Sequence, residues 1–103
     1  MDDDTKEALK FGKVYALAQK YSRKGQIDKG IKLLTEHVNE FRDPSFNGSI
    51  LSQLAWFYYH KEKYDTSIQL FTQAMKLSPR RVRQLEMCRH YCVSAWKYKI
   101  MEK

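Results

Sequence analysis

The chain has 103 residues, of which 43% are hydrophobic and 30% charged, and its formal net charge is +7. A chain of this length forms one domain, residues 1–103. It contains no apolar run long enough to span a membrane, and its first ten residues, MDDDTKEALK, lack the basic start and apolar stretch of a signal peptide. We therefore expect a cytoplasmic protein that does not insert into a membrane.

The first predicted helix runs from about Thr5 to Ser22. Asp4 is expected to cap its N-terminus, and Glu7, three residues later, to complete a capping box. The residues expected to face the core from this helix are Ala8, Val14, Leu17, Ala18 and Tyr21.

A turn at residues 23–26 separates the first helix from the second. Gly25 lies in this turn, where the chain needs a positive φ angle. The second helix is predicted to begin near Ile27 or Asp28. Its apolar residues at helical spacing are Ile31, Leu34, Val38 and Phe41.

The dipeptide Asp43-Pro44 is typical either of a loop or of a helix N-terminus, with Asp as the cap and Pro in the first turn. The third helix is then predicted to end at about His60. The fourth runs from about Tyr64 to Leu77.

A last helix is predicted after Ser78-Pro79, which is a second cap-plus-Pro start, and it can continue to about Met101. Cys88 and Cys92 are four residues apart on this helix, where their Cβ vectors diverge, so we expect two thiols and no disulfide. No segment alternates with a period of two, and no strand is predicted.

A pattern of large and small residues occurs twice, 37 residues apart. The later copy consists of Leu51, Leu54, Ala55, Tyr58, Ser67, Phe71 and the closing Pro79. The earlier copy has Val14, Leu17, Ala18, Tyr21, Gly30 and Leu34 at the corresponding places. This order resembles the tetratricopeptide repeat, although Leu51, Ala55 and Ser67 replace the usual Trp, Gly and Ala.

The resemblance implies an all-α, right-handed array of five antiparallel helices, that is, two helix pairs and a C-terminal capping helix. Repeat one covers about 11–44, repeat two about 48–81, and the capping helix about 79–101. His37 stands where the second repeat has Ala74, so the first pair should be less tight at that end. Arg89 stands where the family has a small residue, which indicates that no further helix packs there.

In this family the first helices of successive units line a concave groove that binds an extended peptide or a helix. The residues that the resemblance places in the groove are Tyr15, Gln19, Ser22, Ser52, Gln53, Trp56, Tyr59, Arg83, Met87 and His90. The apolar core stripe does not need Trp56, and an exposed Trp is typical of a binding hot spot. The alternative is that Trp56 packs on the capping helix.

Some members of the family clamp the C-terminal carboxylate of heat-shock chaperones with Lys, Asn, Asn, Lys and Arg. This chain has Tyr15, Gln19, Gln53, Arg83 and Met87 there, and only Arg83 keeps the charge. The pattern therefore argues against a heat-shock co-chaperone.

The last helix offers a second surface. Trp96, Tyr98, Ile100 and Met101 lie beyond the part that two repeats can cover, and about three repeats are needed for stability. This predicts either a homodimer formed through the last helix or a stable partner; the alternative is an exposed tail.

Positive charge is concentrated in the last helix, because residues 79–103 hold seven basic and two acidic side chains. The chain has no Gly-rich phosphate loop, no nucleophile elbow and no zinc-protease helix, and Cys88, His90 and Cys92 are poorly placed for one metal ion. We therefore expect no enzymatic activity, no cofactor and no metal site.

The sequence thus predicts a protein–protein interaction module: a small adaptor, scaffold or chaperone-like protein whose groove binds a peptide or helix, favouring an acidic partner. One alternative is a nucleic-acid-binding accessory protein that acts through the basic last helix. Another is a dedicated chaperone of a secretion-system subunit.

Overall fold

The computed structural model describes residues 2–102, and every regular element in that range is helical. The helices are α1 (Asp3–Arg23), α2 (Ile27–Thr35), α3 (Pro44–His60), α4 (Tyr64–Leu77) and α5 (Val82–Met101). A short 3-10 turn at Pro79–Arg81 precedes α5. The predicted all-α class with five helices is confirmed for the described part of the chain.

Helices α3 and α4 pack antiparallel at close range. Near the start of α4, the Ser67 hydroxyl donates a hydrogen bond of 2.7 Å to the Ala55 carbonyl in the second half of α3. At the other end, Gly48 in the first half of α3 lies against Ser78, directly after α4. Small residues at both ends of the crossing allow this close approach.

The remaining neighbours are also antiparallel. Cys92 of α5 contacts Ser67, and Lys99, further along α5, lies 3.4 Å from the Glu62 carboxylate just before α4. Between α1 and α2 the chain reverses at Gly25, whose φ of 70° confirms the predicted turn.

The core consists of two clusters that share α3. The first joins α1, α2 and α3 and contains Val14, Ala18, Leu34, Phe41, Ile50, Leu54 and Phe57. The second joins α3, α4 and α5 and contains Leu51, Ala55, Phe71, Ala74, Leu85 and Cys92. Because α3 supplies residues to both, it is the central helix of the fold.

The N-terminus of α1 differs from the prediction. Asp2, not Asp4, caps the helix. Glu7 does not complete a capping box, because its carboxylate accepts the backbone N–H groups of Arg42 (2.7 Å) and Asp43 (3.2 Å) in the loop before α3. The predicted capping box is therefore wrong. Glu7 instead connects α1 to that loop through these two hydrogen bonds.

Two residues of α1 that were predicted to face the core are exposed. These are Ala8 and Leu17, the latter with 38% of its surface accessible. Helix α1 is covered on one side only, so its fully buried residues are Val14 and Ala18.

Helix α2 ends earlier than its apolar spacing predicts, at Thr35. The chain turns at Asn39, whose φ is 59°. The buried Asn47 side chain then accepts the Phe41 N–H at 3.0 Å and donates to the Phe41 carbonyl at 2.6 Å. This amide takes both backbone groups that a helix would use, while Phe41 still reaches the core.

Of the two helix N-termini predicted from a capping residue followed by Pro, the structure confirms only the first. Asp43 does cap α3, because its carboxylate accepts the Ser45 N–H at 2.9 Å. Ser78 forms no capping hydrogen bond; its hydroxyl is buried against Gly48, and Pro79 begins the 3-10 turn instead of the helix.

The contact between α2 and α3 can be tested at Gly30. A methyl group at Gly30 would overlap the Phe57 ring. Gly30→Ala should therefore lower the free energy of unfolding by about 1–3 kcal/mol, although alanine is the better helix former. Urea denaturation followed by circular dichroism measures the change.

Gly12→Ala is the matched control, because no atom lies within 4 Å of a Cβ placed there. It should raise the free energy of unfolding by about 0.5–1 kcal/mol. Equal shifts of the same sign in both variants would contradict the proposed steric contact.

The loop between α2 and α3 can be tested by Asn47→Asp. The carboxylate cannot donate to the Phe41 carbonyl, so the free energy of unfolding at pH 7 should fall by about 1–3 kcal/mol. Burial beside a carbonyl raises the carboxyl pKa, so the loss should shrink as the pH falls and the acid becomes protonated. A difference from the parent protein that does not vary between pH 7 and pH 4 would contradict this role.

Candidate binding groove

A groove crosses the face of the molecule that is formed by α1, α3 and α5. It consists of two adjoining depressions of about 280 and 330 Å³ that share Gln53 and Trp56. The first is lined by Tyr15, Ser52, Gln53, Trp56, Phe71, Arg81, Gln84, Leu85 and Cys88. The second is lined by Gln19, Ser22, Arg23, Gln53 and Trp56.

The position of α3 between two core clusters determines which of its residues reach the groove. Leu54 enters the first cluster and Ala55 the second. The remaining face holds Ser52, Gln53 and Trp56, which follow each other at helical spacing. These three side chains form the floor of the groove.

Trp56 is half-buried and is held by aromatic neighbours. Its ring stacks on Tyr59, with centroids 5.2 Å apart and an angle of 14° between the planes. His60 meets it edge-on at 4.9 Å. One side of Trp56 packs on the second core cluster, which includes α5, and another lines both depressions. The fold itself therefore holds the ring in place.

Six of the ten residues that the sequence places in the groove line it in the structure. They are Tyr15, Gln19, Ser22, Ser52, Gln53 and Trp56. Tyr59 supports Trp56 from beside the groove.

The residues predicted from α5 lie elsewhere. Arg83, Met87 and His90 are exposed outside the groove, which is lined instead by Gln84 and Cys88 of α5 and by Arg81 before it. Each of the three is two residues, or about 200° around the helix, from Leu85 or Cys92, the buried residues of α5, and so lies on the opposite side.

The sequence contains a signal for the side of α5 that faces the core and the groove. Leu85 and Cys92 are the buried residues of α5 and mark its inner side. Gln84 and Cys88 lie next to that side, at the edge that turns toward α3. Leu85 and Cys92 therefore mark the core-facing side of α5 in the sequence itself, and the groove residues lie at one edge of that side.

The groove is electropositive. Its lining contains Arg23 and Arg81 and no Asp or Glu. Arg81 is oriented by a hydrogen bond of 3.3 Å from its guanidinium to the Ser49 hydroxyl. The amides of Gln19, Gln53 and Gln84 complete the polar part of the lining, so it can bond both to carbonyl groups and to carboxylates.

Both cysteines are free thiols. Cys92 is buried and lies 3.2 Å from the Ser67 hydroxyl, whereas Cys88 is half-buried at the groove. Burial raises the pKa of both thiols. Neither is therefore set up as a nucleophile.

The four residues considered for self-association lie on two different sides of α5. Trp96 and Ile100 line a shallow depression beside Tyr64 at the start of α4. Tyr98 and Met101 point away from the core, with 73% and 82% of their surfaces accessible. They do not form one patch.

Comparisons of the chain with protein-family models, curated proteins and solved structures find no match. Among the described residues, no helix has the length and apolarity needed to cross a membrane. In the same range, no three His, Cys, Asp or Glu side chains are grouped so that they could hold a metal ion.

Iodoacetamide should modify Cys88 before Cys92, because Cys88 is the more accessible thiol. Since burial raises both pKa values, each native thiol carries less thiolate at pH 8 than an ordinary cysteine and should react more slowly. Peptide mapping by mass spectrometry measures the two rates. The protein in urea, where both thiols should react alike, is the control; faster native reaction of Cys92 would contradict the order.

Proposed function

We propose that the chain is a protein–protein interaction module of the tetratricopeptide type, and that its groove binds an extended peptide or a helix of a partner protein. The repeated sequence pattern supports this assignment. So do two antiparallel helix pairs followed by a fifth helix, with buried small residues at the crossings. Ala18, Ala55 and Ser67 are each fully buried there.

The observation that carries the proposal is the position of Trp56. An indole ring lies at the junction of two depressions, partly exposed and held by stacking on Tyr59. Binding hot spots are enriched in such aromatic residues. A side chain that is already ordered loses little conformational entropy when a ligand covers it.

The lining indicates what kind of segment it would bind. Trp56 and Tyr15 offer apolar contact, while Gln53 and Gln84 can bond to the backbone of an extended chain. Arg81 would pair with a carboxylate, either an acidic side chain or a chain terminus. The cations that face the groove are thus Arg81 and Arg23, not Arg83. An adaptor, a scaffold or a chaperone-like protein would use such a surface.

Peptides selected from a random display library provide a probe for the groove. We expect the selected sequences to contain Asp or Glu next to an apolar residue. Trp56→Ala should weaken the binding of such a peptide by about thirtyfold or more, as for a hot-spot residue. Fluorescence anisotropy with a labelled peptide measures the change.

Trp96→Ala is the matched control, because it removes a partly exposed indole that lies outside the groove. It should leave the affinity unchanged. The bound peptide should also protect Cys88 from iodoacetamide, since that thiol lines the groove. Unchanged affinity in Trp56→Ala, or no protection of Cys88, would contradict the proposal.

A further inference from the structure

Helix α5 carries an exposed apolar stripe on the side that faces away from the core. Met87, Tyr91, Tyr98 and Met101 have 56%, 60%, 73% and 82% of their surfaces accessible. Together with the exposed Ser94 they follow one another at steps of four, three, four and three residues. This is the spacing of a coiled-coil seam, in which every second step returns to the same heptad position.

The stripe is separate from the groove. The core uses Leu85 and Cys92 and the groove uses Gln84 and Cys88, while none of the stripe residues lines either depression of the groove. The stripe extends from Met87 to Met101, which at 1.5 Å per residue is about 21 Å, or four helical turns. That length matches a short partner helix lying alongside α5.

One edge of the stripe is basic. Arg83, His90 and Lys97 are exposed and follow at intervals of seven residues, so they form a row beside the stripe. Within residues 2–102, neither Arg83 nor Lys97 forms a salt bridge. The opposite edge contains Cys88 and Ala95, with the single acidic residue Glu102 at its end.

We propose that this face of α5 docks an amphipathic helix of a partner protein whose edge toward Arg83, His90 and Lys97 is acidic. Apolar residues of the partner would cover Tyr91 and Tyr98 and the methionines at the two ends. The basic row would select the partner and its orientation, as charged residues beside a seam do in coiled coils.

The same charges disfavour a second copy of the chain as the occupant. In an antiparallel pair of α5 helices, the row of Arg83, His90 and Lys97 would face the same row of the other copy. In a parallel pair it would face Cys88 and Ala95 and could use only Glu102. Each copy also carries a net charge of +7, so self-association would bring together two strongly positive molecules.

Two synthetic helical peptides of three heptads test this inference. Both carry Leu at the two seam positions; one has Glu at the flanking positions and the other has Lys. Fluorescence anisotropy should show that the Glu peptide binds at least about tenfold more tightly than the Lys peptide at low salt. The difference should narrow in 0.5 M salt, because surface charges are then screened.

Variants separate the stripe from the groove. The double substitution Tyr91→Ala and Tyr98→Ala should weaken binding of the Glu peptide by about tenfold or more. Trp56→Ala should leave it unchanged. Exchanging the charges with Arg83→Glu and Lys97→Glu should make the Lys peptide the tighter ligand, which a loss of folding cannot do. Thermal unfolding by circular dichroism checks that these exposed substitutions keep the fold.

Equal affinity for the two peptides, no binding of either, or full binding by the Tyr double variant would overturn the inference. Sedimentation of the protein alone should give a monomer. A dimer that the Tyr double variant abolishes would overturn it as well, and would assign the stripe to a second copy of the chain.

Discussion

The fold depends on the burial of one helix from two directions. Helix α3 must present Leu54 and Phe57 to the first cluster and Leu51 and Ala55 to the second. A helix can do this only if the neighbouring helices approach closely, and small residues make that approach possible: Gly30 accepts the Phe57 ring, and Ser67 reaches the Ala55 carbonyl. The hydroxyl of Ser67 is buried, and its hydrogen bond to the Ala55 carbonyl satisfies this polar group.

The double burial also determines where a binding surface can form. Once two sides of α3 are covered, the remaining face carries Ser52, Gln53 and Trp56. Helices α1 and α5 form the walls on either side of this face. The groove is thus a consequence of the packing order, and its chemistry depends on the few positions of α3 that are excluded from both cores.

The sequence predicts the parts of the structure that depend on local patterns. The N-cap at Asp43, the turn at Gly25 and the burial of Ala18, Ala55, Ser67 and Ala74 all follow from residue type and spacing. Prediction from local patterns fails where a side chain that is distant in the sequence determines the backbone conformation. The loop between α2 and α3 depends on Asn47, which bonds to Phe41 from the next helix, and no pattern within α2 signals that contact.

The same distinction applies to the two surfaces. The α1 and α3 sides of the groove could be predicted because those helices follow the repeat without interruption. The α5 side could not, because Gln84 and Cys88 reach the groove through the packing of α5 on α3 and α4, which the repeat pattern does not determine. The exposed stripe of α5 has a heptad period, which is independent of the pattern that recurs after 37 residues.

Helix α1 buries few side chains for its length. Only Val14 and Ala18 of its 21 residues are buried. Its first half is held by Phe11, which stacks on Phe46, and by polar contacts of Glu7 with the loop before α3 and of Lys10 with Glu40. Elements with few buried contacts open at a lower free energy than the global unfolding transition. Since Tyr15, Gln19 and Ser22 form one wall of the groove, the free energy of opening of α1 sets the fraction of molecules in which that wall is complete. Amide hydrogen exchange in α1 would therefore report on the equilibrium that sets how many molecules have a complete groove.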